Sequence, residues 1–536
     1  MDNHLGLMLD CSRNAVIKIE TIKKLVIFME KMGYNTLMLY TEDTYEVKDE
    51  PYFGYLRGRY SSDELKTVDE FCKQHNVELI PCIQTLAHLN CIFRWDRYGK
   101  INDLEDILLI DNDETYELID KMISSVADCF TSRNIHIGMD EAFLVGLGNY
   151  LRKHGYTDRF ELLCRHLQKV GDICKKYGFK PMMWSDMFFN LAAGQYYVED
   201  PDVIKKEFSQ YVPEEVSLVY WDYYSTDKNK YDTMIKAHKN FGRPIWFAGG
   251  LWTWVGFLPK NGFSIKASEA AVKSCVENGI DNMFFTLWGD DGGECAFFSV
   301  LPSMFYVAQI KKGITHKEEI KRNFKEMFGI DFDAFMLLDL PEINNDEEIS
   351  NPERYMLYND YFLGIYDPIA FDDFSVKFAN ASEKLKEYED NGEYGYIFKF
   401  AKSLCDVMAI KYDLGIETRK CYNSDDKDAI KNLIPKYEKI EELLEIMLKD
   451  FRNMWFYEKK PYGFEVQDAR IGGLIARTKI CKERLADYAD GRIDKIDELE
   501  EKLIMPSAYI GSDFKKSINM TRWNGSFVNK SGWFNM

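Results

Sequence analysis

The chain has 536 residues, 68 Lys and Arg against 88 Asp and Glu, and a formal net charge of −20, a balance that excludes a phosphate-backbone binder or an anionic membrane surface and favours a neutral or cationic ligand. That length suits one large barrel plus a second unit, so two domains are expected. The twelve cysteines stand singly with no CxxC pair, the first residues show no basic n-region, long apolar h-region or cleavage site, and no apolar run is long enough to span a bilayer, so the expected setting is reducing and cytoplasmic, without nucleic acid or membrane as partners.

Short apolar runs alternate with longer amphipathic stretches over the first 315 residues. The predicted strands are Leu5 to Asp10, Asn35 to Tyr40, Val77 to Ile83, Asn134 to Met139, Pro181 to Ser185, Ser217 to Trp221, Pro244 to Ala248 and Asn282 to Leu287. Helices are predicted between them, among them Val16 to Met32, Asp63 to His75, Thr115 to Phe130, Phe160 to Tyr177 and Ala267 to Asn278. Eight such units predict an α/β fold, a (β/α)8 TIM barrel over residues 1–335 with its site at the C-terminal strand ends. Beyond about residue 330 the strand-like runs vanish. Stripes such as Ile397, Phe400, Leu404 and Met408, then Ile440, Leu443, Leu444, Met447 and Phe451, then Ile471, Leu474, Ile475 and Leu485, predict an all-α domain over residues 336–536. The boundary is expected near Pro341 to Pro352, and the Gly472-Gly473 pair is expected to permit a close helix crossing. The aromatic stretch from Thr521 to Trp533 suits a return to the barrel or a contact with a second subunit, so a homodimer is one expected assembly.

Polar and aromatic residues crowd the strand ends while the strand bodies stay apolar. In chain order they are Asp10 and Arg13; Glu42 and Asp43; Gln84 and His88; Asp140 and Glu141; Trp184 and Asp186; Trp221, Asp222, Tyr223 and Tyr224; Trp252 and Trp254; and Trp288, Asp290, Asp291 and Glu294. A lone strand-end Asp is often no more than a helix cap. A ring of carboxylates alternating with indoles is different: it offers acceptors for hydroxyls and flat apolar faces, the two things a sugar ring presents. In Asn134-Ile-His-Ile-Gly-Met-Asp-Glu141, alternation puts His136, Gly138 and Asp140 on one face and Ile135, Ile137 and Met139 on the other. The polar face is expected to point to the barrel axis, Gly138 to leave room beneath a ligand, and Glu141 to lean over the mouth. Two adjacent carboxylates in a confined site split their pKa values, and Glu141 is the expected general acid.

At these residues the sequence resembles family 20 of the glycoside hydrolases, the β-N-acetylhexosaminidases, whose motif is His-x-Gly-x-Asp-Glu. Leu9-Asp10-Cys-Ser12-Arg13 resembles the family's Asp-x-Ser-Arg segment, Pro81 through His88 its strand-three histidine segment, and Trp288-Gly289-Asp290 stands where the family has Trp-Gly-Glu. The arrangement Trp288-Gly-Asp-Asp-Gly-Gly-Glu294 and the missing domain before strand one look most like the cytoplasmic type with a helical C-terminal domain. The resemblance implies an exo-acting retaining hydrolase of terminal β-linked GlcNAc or GalNAc in a small oligosaccharide or glycoside. Its nucleophile would be the substrate's own acetamide, which forms an oxazolinium ion. By resemblance Glu141 is the proton shuttle and Asp140 the acetamide clamp; Arg13 holds ring hydroxyls, with Asp10 beside it, and Asp290 and Glu294 are candidates for O4 and O6. Trp184, Trp221 and Trp288 wall the acetamide pocket, Tyr223 is the choice for the acetamide oxygen with Tyr224 and Trp252 nearby, and His88 and His136 orient carboxylates. The eight histidines include no HxH or HExxH spacing, so neither metal nor other cofactor is expected. Two other readings stand beside this one: a metal-dependent deacetylase or amidase, which a chelator would silence, and a non-catalytic carbohydrate-binding barrel, which has no use for Asp140 beside Glu141. The glycines of Gly249-Gly250 and Gly292-Gly293 read as loop glycines, and the charges of 346–348 and 425–431 as solvated linker and turn.

Overall fold

A computed structural model describes residues 3–290, 292–341 and 351–504. Eight parallel strands close into a barrel in sequential order: β1 (Leu5–Asp10), β2 (Thr36–Thr41), β3 (Glu78–Ile83), β4 (Asn134–His136), β5 (Lys180–Trp184), β6 (Ser217–Trp221), β7 (Ile245–Gly250) and β8 (Met283–Leu287), with β8 pairing back onto β1. Each is followed by a helix, α1 (Ile19–Met32), α2 (Ser62–Gln74), α3 (Asp113–Ala127), α4 (Arg159–Lys176), α5 (Asp186–Ala193), α6 (Lys228–Lys239), α7 (Asn261–Glu277) and α8 (Leu301–Lys311). The TIM barrel expected from the alternating pattern is the fold of this part of the chain.

The period of two in the strands decides what lies inside. Met8, Met38, Tyr40, Ile80, Cys82, Met182, Trp184, Val219, Trp246, Ala248 and Phe284 fill the lumen, while their sequence neighbours Leu7, Leu9, Leu37, Leu39, Leu79, Leu218 and Phe285 belong to the larger core under the helices. The helices begin where local chemistry stops them. Ser61 caps α2 in a reciprocal capping box with Glu64, and Asn112, Asp158 and Asp227 each accept a hydrogen bond from the first turn of α3, α4 and α6. Gly33 ends α1 in the left-handed conformation.

Among the described residues, four longer helices follow the barrel: α9 (Phe374–Leu385), α10 (Gly395–Asn423), α11 (Lys427–Glu458) and α12 (Phe464–Ala489). They pack in sequence as an all-α bundle, the expected character of this part. The stripe residues Ile397, Phe400, Leu404, Met408, Ile440, Leu444, Met447 and Phe451 are all fully buried. Asp426, in the charged 425–431 segment, is the N-cap of α11.

The structure departs from the sequence reading at several points. Strand β4 ends at His136 rather than Met139, because Gly138, Met139 and Glu141 all take left-handed backbone angles. Helix α7 starts at Asn261, six residues earlier than expected, where Asp339 accepts from the Asn261 and Gly262 amides. Gly249 and Gly250 close strand β7, where a Cβ would press into Phe285 and Trp254. Among the described residues nothing lies within 4 Å of a Cβ placed at Gly472 or Gly473, so they form no close helix crossing there. The acidic segment 346–348, Asp291 and the stretch from Thr521 to Trp533 lie outside the described residues.

Candidate active site

The site is assembled at the C-terminal mouth of the barrel, and its centre is the coil that follows β4. Asp140 is buried and accepts a hydrogen bond from Gln84 Nε2 at 2.8 Å. Gln84 directly follows β3; its Nε2 is also 2.8 Å from the Tyr40 hydroxyl, and its Oε1 accepts from the Met139 amide at 3.2 Å. Glycine at 138 is required by this side chain: φ there is +72°, and a Cβ would collide with the Gln84 amide and lie 2.9 Å from the Ile83 carbonyl. The space expected under a ligand at Gly138 is therefore filled by Gln84. Glu141, about half exposed, leans out of the mouth, and its own amide donates to Asp186 Oδ2 at 3.0 Å.

His88 lies between the two acids, with Nε2 3.1 Å from Asp140 Oδ2 and 3.6 Å from Glu141 Oε2. Burial works against its charged form, but the Asp140 carboxylate outweighs that and lifts the imidazole to about 9. Asp140 responds in kind: burial pushes it up, while the His88 charge and the His88 and Gln84 hydrogen bonds bring it below the ordinary carboxylate range. Asp186 carries the opposite shift, raised to about 8 by burial and by the Asp140 charge. Thus the buried acids separate into one held ionised and one held protonated. Glu42 is also raised by burial, with Arg13 and His88 opposing.

Arg13 stands at the next side of the mouth, 3.4 Å from Glu42 and 3.9 Å from Asp10. Asp10 itself is occupied by the structure: one oxygen takes the Ser12 amide and hydroxyl, the other the Gly289 amide at 2.9 Å, tying the loop after β1 to the loop after β8. Asp290, exposed, lines the same cleft as Arg13 and Glu42.

The aromatic side is built from three strand ends. Trp184 is buried against His136 at a ring distance of 4.5 Å and faces Trp288 at 6.1 Å. Trp221 stacks on Tyr223 at 5.2 Å, and Trp288 packs edge-on to Tyr40. Burial, with the Trp288 side chain in hydrogen-bond contact opposing it, keeps the Tyr223 phenol protonated. His136 is pushed by burial down to about 3 and is neutral. The fully buried His136 Nε2 and Trp184 Nε1 have no hydrogen-bond partner among the described residues, a pattern that marks a place for a polar ligand or water.

The structure brings Asp140, Glu141, His88, His136, Trp184, Trp221, Tyr223 and Trp288 to one mouth, with Arg13 and Asp290 at its edge. Two residues expected to touch the sugar are placed otherwise. Trp252 is fully buried, its indole N–H given to the Tyr223 carbonyl at 2.9 Å and its face stacked on Trp254. Glu294 is buried between Arg470 at 3.0 Å and Arg354 at 2.9 Å. Tyr224 is half exposed and edge-on to Trp252. Gln84 and Asp186 were visible in the sequence as polar strand ends, yet nothing there gave them a part. Among the described residues, no group of three or more His, Cys, Asp or Glu is arranged to hold a metal, and no helix is long and apolar enough to cross a membrane.

Residues 3–232 match the family model described as Glycosyl hydrolase family 20, catalytic domain, and residues 332–517 match Glycoside Hydrolase 20C C-terminal domain. The chain carries the catalytic and C-terminal domains of glycoside hydrolase family 20. It is 24% identical to Hexosaminidase D of Homo sapiens over 225 residues, 39% of this chain and 43% of that protein. To Hexosaminidase D of Bos taurus it is 22% identical over 262 residues, 46% of this chain and 69% of the relative. Among solved structures, the GH20 exo β-N-acetylglucosaminidase of Vibrio harveyi in complex with N-acetylglucosamine is similar with a TM-score of 0.46 at 15% identity, over 63% of this chain and 58% of that one. The match thus spans less than half the length of the human relative.

Proposed function

We propose that this family-20 chain is an exo-acting, retaining β-N-acetylhexosaminidase acting on terminal GlcNAc or GalNAc, with residues 1–335 as the catalytic barrel and 336–536 as a helical C-terminal domain. The observation that carries the reading is the pair Asp140 and Glu141: a buried acid held ionised beside an acid that reaches into solvent, with His88 between them.

In this reading the sugar's 2-acetamido carbonyl attacks C1, and no side chain need act as nucleophile. Asp140, already ionised, accepts from the acetamide N–H and offsets the positive charge that develops as the oxazolinium forms. Glu141 protonates the leaving glycosidic oxygen and then takes a proton from the attacking water, a task for which its exposed position is suited. Tyr223 is the proposed donor to the acetamide oxygen, because its protonated phenol sits against Trp221 and Trp288. Trp184, Trp221 and Trp288 enclose the acetamide methyl, while Arg13 and Asp290 hold ring hydroxyls. His88 positions both acids. Asp10 and His136 support this arrangement from behind, and Trp252 backs Tyr223. Glu294 belongs to the ion pairs that hold the β8 loop.

The test is hydrolysis of paired aryl β-GlcNAc and β-GalNAc substrates by wild type and Glu141→Gln. The variant should lose roughly 10²- to 10⁴-fold in turnover on a substrate with a poor leaving group. Near-wild-type turnover there would remove Glu141 from the role. A thiazoline mimic of the oxazoline should inhibit at micromolar concentration or below, since it resembles the intermediate; indifference to it would favour a covalent enzyme intermediate.

A further inference from the structure

We propose that α12 of the C-terminal domain forms part of the substrate site. Val466 and Arg470 wall the cleft beside Arg13 and thereby determine which substituents the non-reducing sugar can carry at the ring edge remote from the scissile bond. This rests on the hexosaminidase reading above and deepens it.

The cleft has a volume of about 30 Å³, room for a hydroxyl at the edge of a sugar ring, and is bounded on the barrel side by Arg13, Glu42 and Asp290, and on the other by Val466 and Arg470. A wall supplied by a separate helical region matters for specificity only if it is fixed in place. Here it is. Residues 458–460 run against the start of the barrel's first helical connection: the Lys460 amide donates to the Val16 carbonyl at 2.7 Å and the Lys18 amide to the Glu458 carbonyl at 3.0 Å, on either side of an antiparallel bridge between Ile17 and Lys459. Gly463 then caps the N-terminus of helix α12; φ there is +90°, and a Cβ would collide with the carbonyl oxygen of Asn14, the residue after Arg13. The helix therefore begins in direct contact with the loop that presents Arg13.

The opposite edge of the cleft is gripped as firmly. Lys459 Nζ donates to the Gly293 and Cys295 carbonyls, and the buried Glu458 carboxylate accepts from the Phe297 amide at 2.6 Å and the Tyr396 hydroxyl at 2.7 Å. Glu294, four residues after Asp290, holds the Arg470 guanidinium at 3.0 Å, and Arg354 takes its other oxygen at 2.9 Å, with all three side chains no more than 4% exposed. A bundle needed only for stability would be served by Arg354 and Lys459, which do not line the cleft. Val466 and Arg470 do.

The chemistry of the wall selects a neutral partner. The guanidiniums at the cleft already have carboxylates, Arg13 with Glu42 and Arg470 with Glu294, so they offer hydrogen-bond donors to hydroxyls without a net positive field for a sulfate or phosphate. Val466 leaves no polar group for a further substituent and meets it with apolar bulk.

The experiment measures kcat, KM and thermal midpoint for wild type, Val466→Phe, Val466→Ala and Arg470→Lys on aryl β-GlcNAc and β-GalNAc and on the 4-O-methyl derivative of the better substrate. Val466→Phe should raise KM about tenfold or more with kcat within about threefold, and Val466→Ala should improve relative kcat/KM for the 4-O-methyl substrate about fivefold or more, the range expected for a methylene-sized change in a pocket. Arg470→Lys, which keeps the charge for Glu294 but loses the planar fork, should change the ratio of kcat/KM between the C4 epimers. Wild-type KM and selectivity in folded variants overturn the inference and leave the hexosaminidase reading standing. If Val466→Phe does not fold, an unchanged 4-O-methyl preference in Val466→Ala overturns it equally. Wild-type failure on both aryl substrates overturns the parent reading and this one together.

Discussion

Three ionisable residues, His88, Asp140 and Asp186, set how the site responds to pH. His88 is raised in the folded protein to about 9 from an ordinary value of about 6.5, so its contribution to stability is complete below that ordinary value and is lost as pH rises through about 9. Asp186, raised to about 8 from about 3.9, follows the same sign: it favours the folded state in its protonated form and costs stability as pH rises through about 8. Asp140, lowered, contributes above its ordinary range and loses that contribution as pH falls through its folded value. Unfolding free energy should therefore decline between about pH 4 and 9, through Asp186 up to about pH 8 and through His88 above about pH 6.5. Asp186→Asn keeps an acceptor for the Glu141 amide but cannot ionise, so urea denaturation at pH 6 and pH 9 should show a shallower decline than in wild type; equal declines would mean that Asp186 does not titrate in this window. In the same cluster, His88→Gln removes the charge that holds Asp140 ionised. Its kcat/KM should fall between pH 7 and pH 5 by roughly tenfold more than that of wild type, as expected for loss of a cation in contact with a carboxylate. Parallel pH profiles would separate His88 from Asp140.

At the scale of elements, the feature that matters is how β4 ends. A run that alternates from Asn134 to Met139 reads as a strand, yet the backbone turns left-handed at Gly138, Met139 and Glu141, and the residues that hold it there come from the end of the β3 segment, just past the strand, and the start of α5, through Gln84 and Asp186. Left-handed conformations at non-glycine residues cost roughly 1–3 kcal/mol each, which the surrounding hydrogen bonds must offset. Gly138→Ala would add a strained Cβ on top of a collision with Gln84. It should destabilise the fold by about 1–3 kcal/mol and, by shifting the Gln84 amide from Asp140, depress kcat more than KM. Urea melts with steady-state kinetics on the same preparation check both; a stable variant of normal kcat would show that the Gln84 tether is dispensable.

For the whole molecule, the barrel and the helical bundle meet through buried charge as well as apolar surface. Glu294, Arg354 and Arg470 join the β8 loop to two parts of the C-terminal region, while Lys459 and Glu458 hold the backbone on either side of it. Removing one member of such a buried group leaves an uncompensated charge. Glu294→Ala should cost about 3–5 kcal/mol, measured as a shift in the urea midpoint at constant slope. A smaller loss would mean that water reaches the two arginines and pairs with them.

The sequence by itself determined the barrel, the bundle and the mouth at which polar and aromatic residues collect, because the period of two in short runs and of 3.6 in long ones records which face is buried, and strand ends follow one another in chain order. It also brought forward Asp140 and Glu141, since adjacent acids at a strand end are a local pattern. What only the tertiary structure decided is which distant residues share a site. Gln84 fills the room expected under Gly138, burial and the Asp140 charge raise Asp186 to about 8, Trp252 and Glu294 are committed to internal partners, and Val466 and Arg470 arrive from more than 400 residues beyond Asn14. Burial and electrostatic coupling depend on what lies across space, and no local pattern in the chain carries that information.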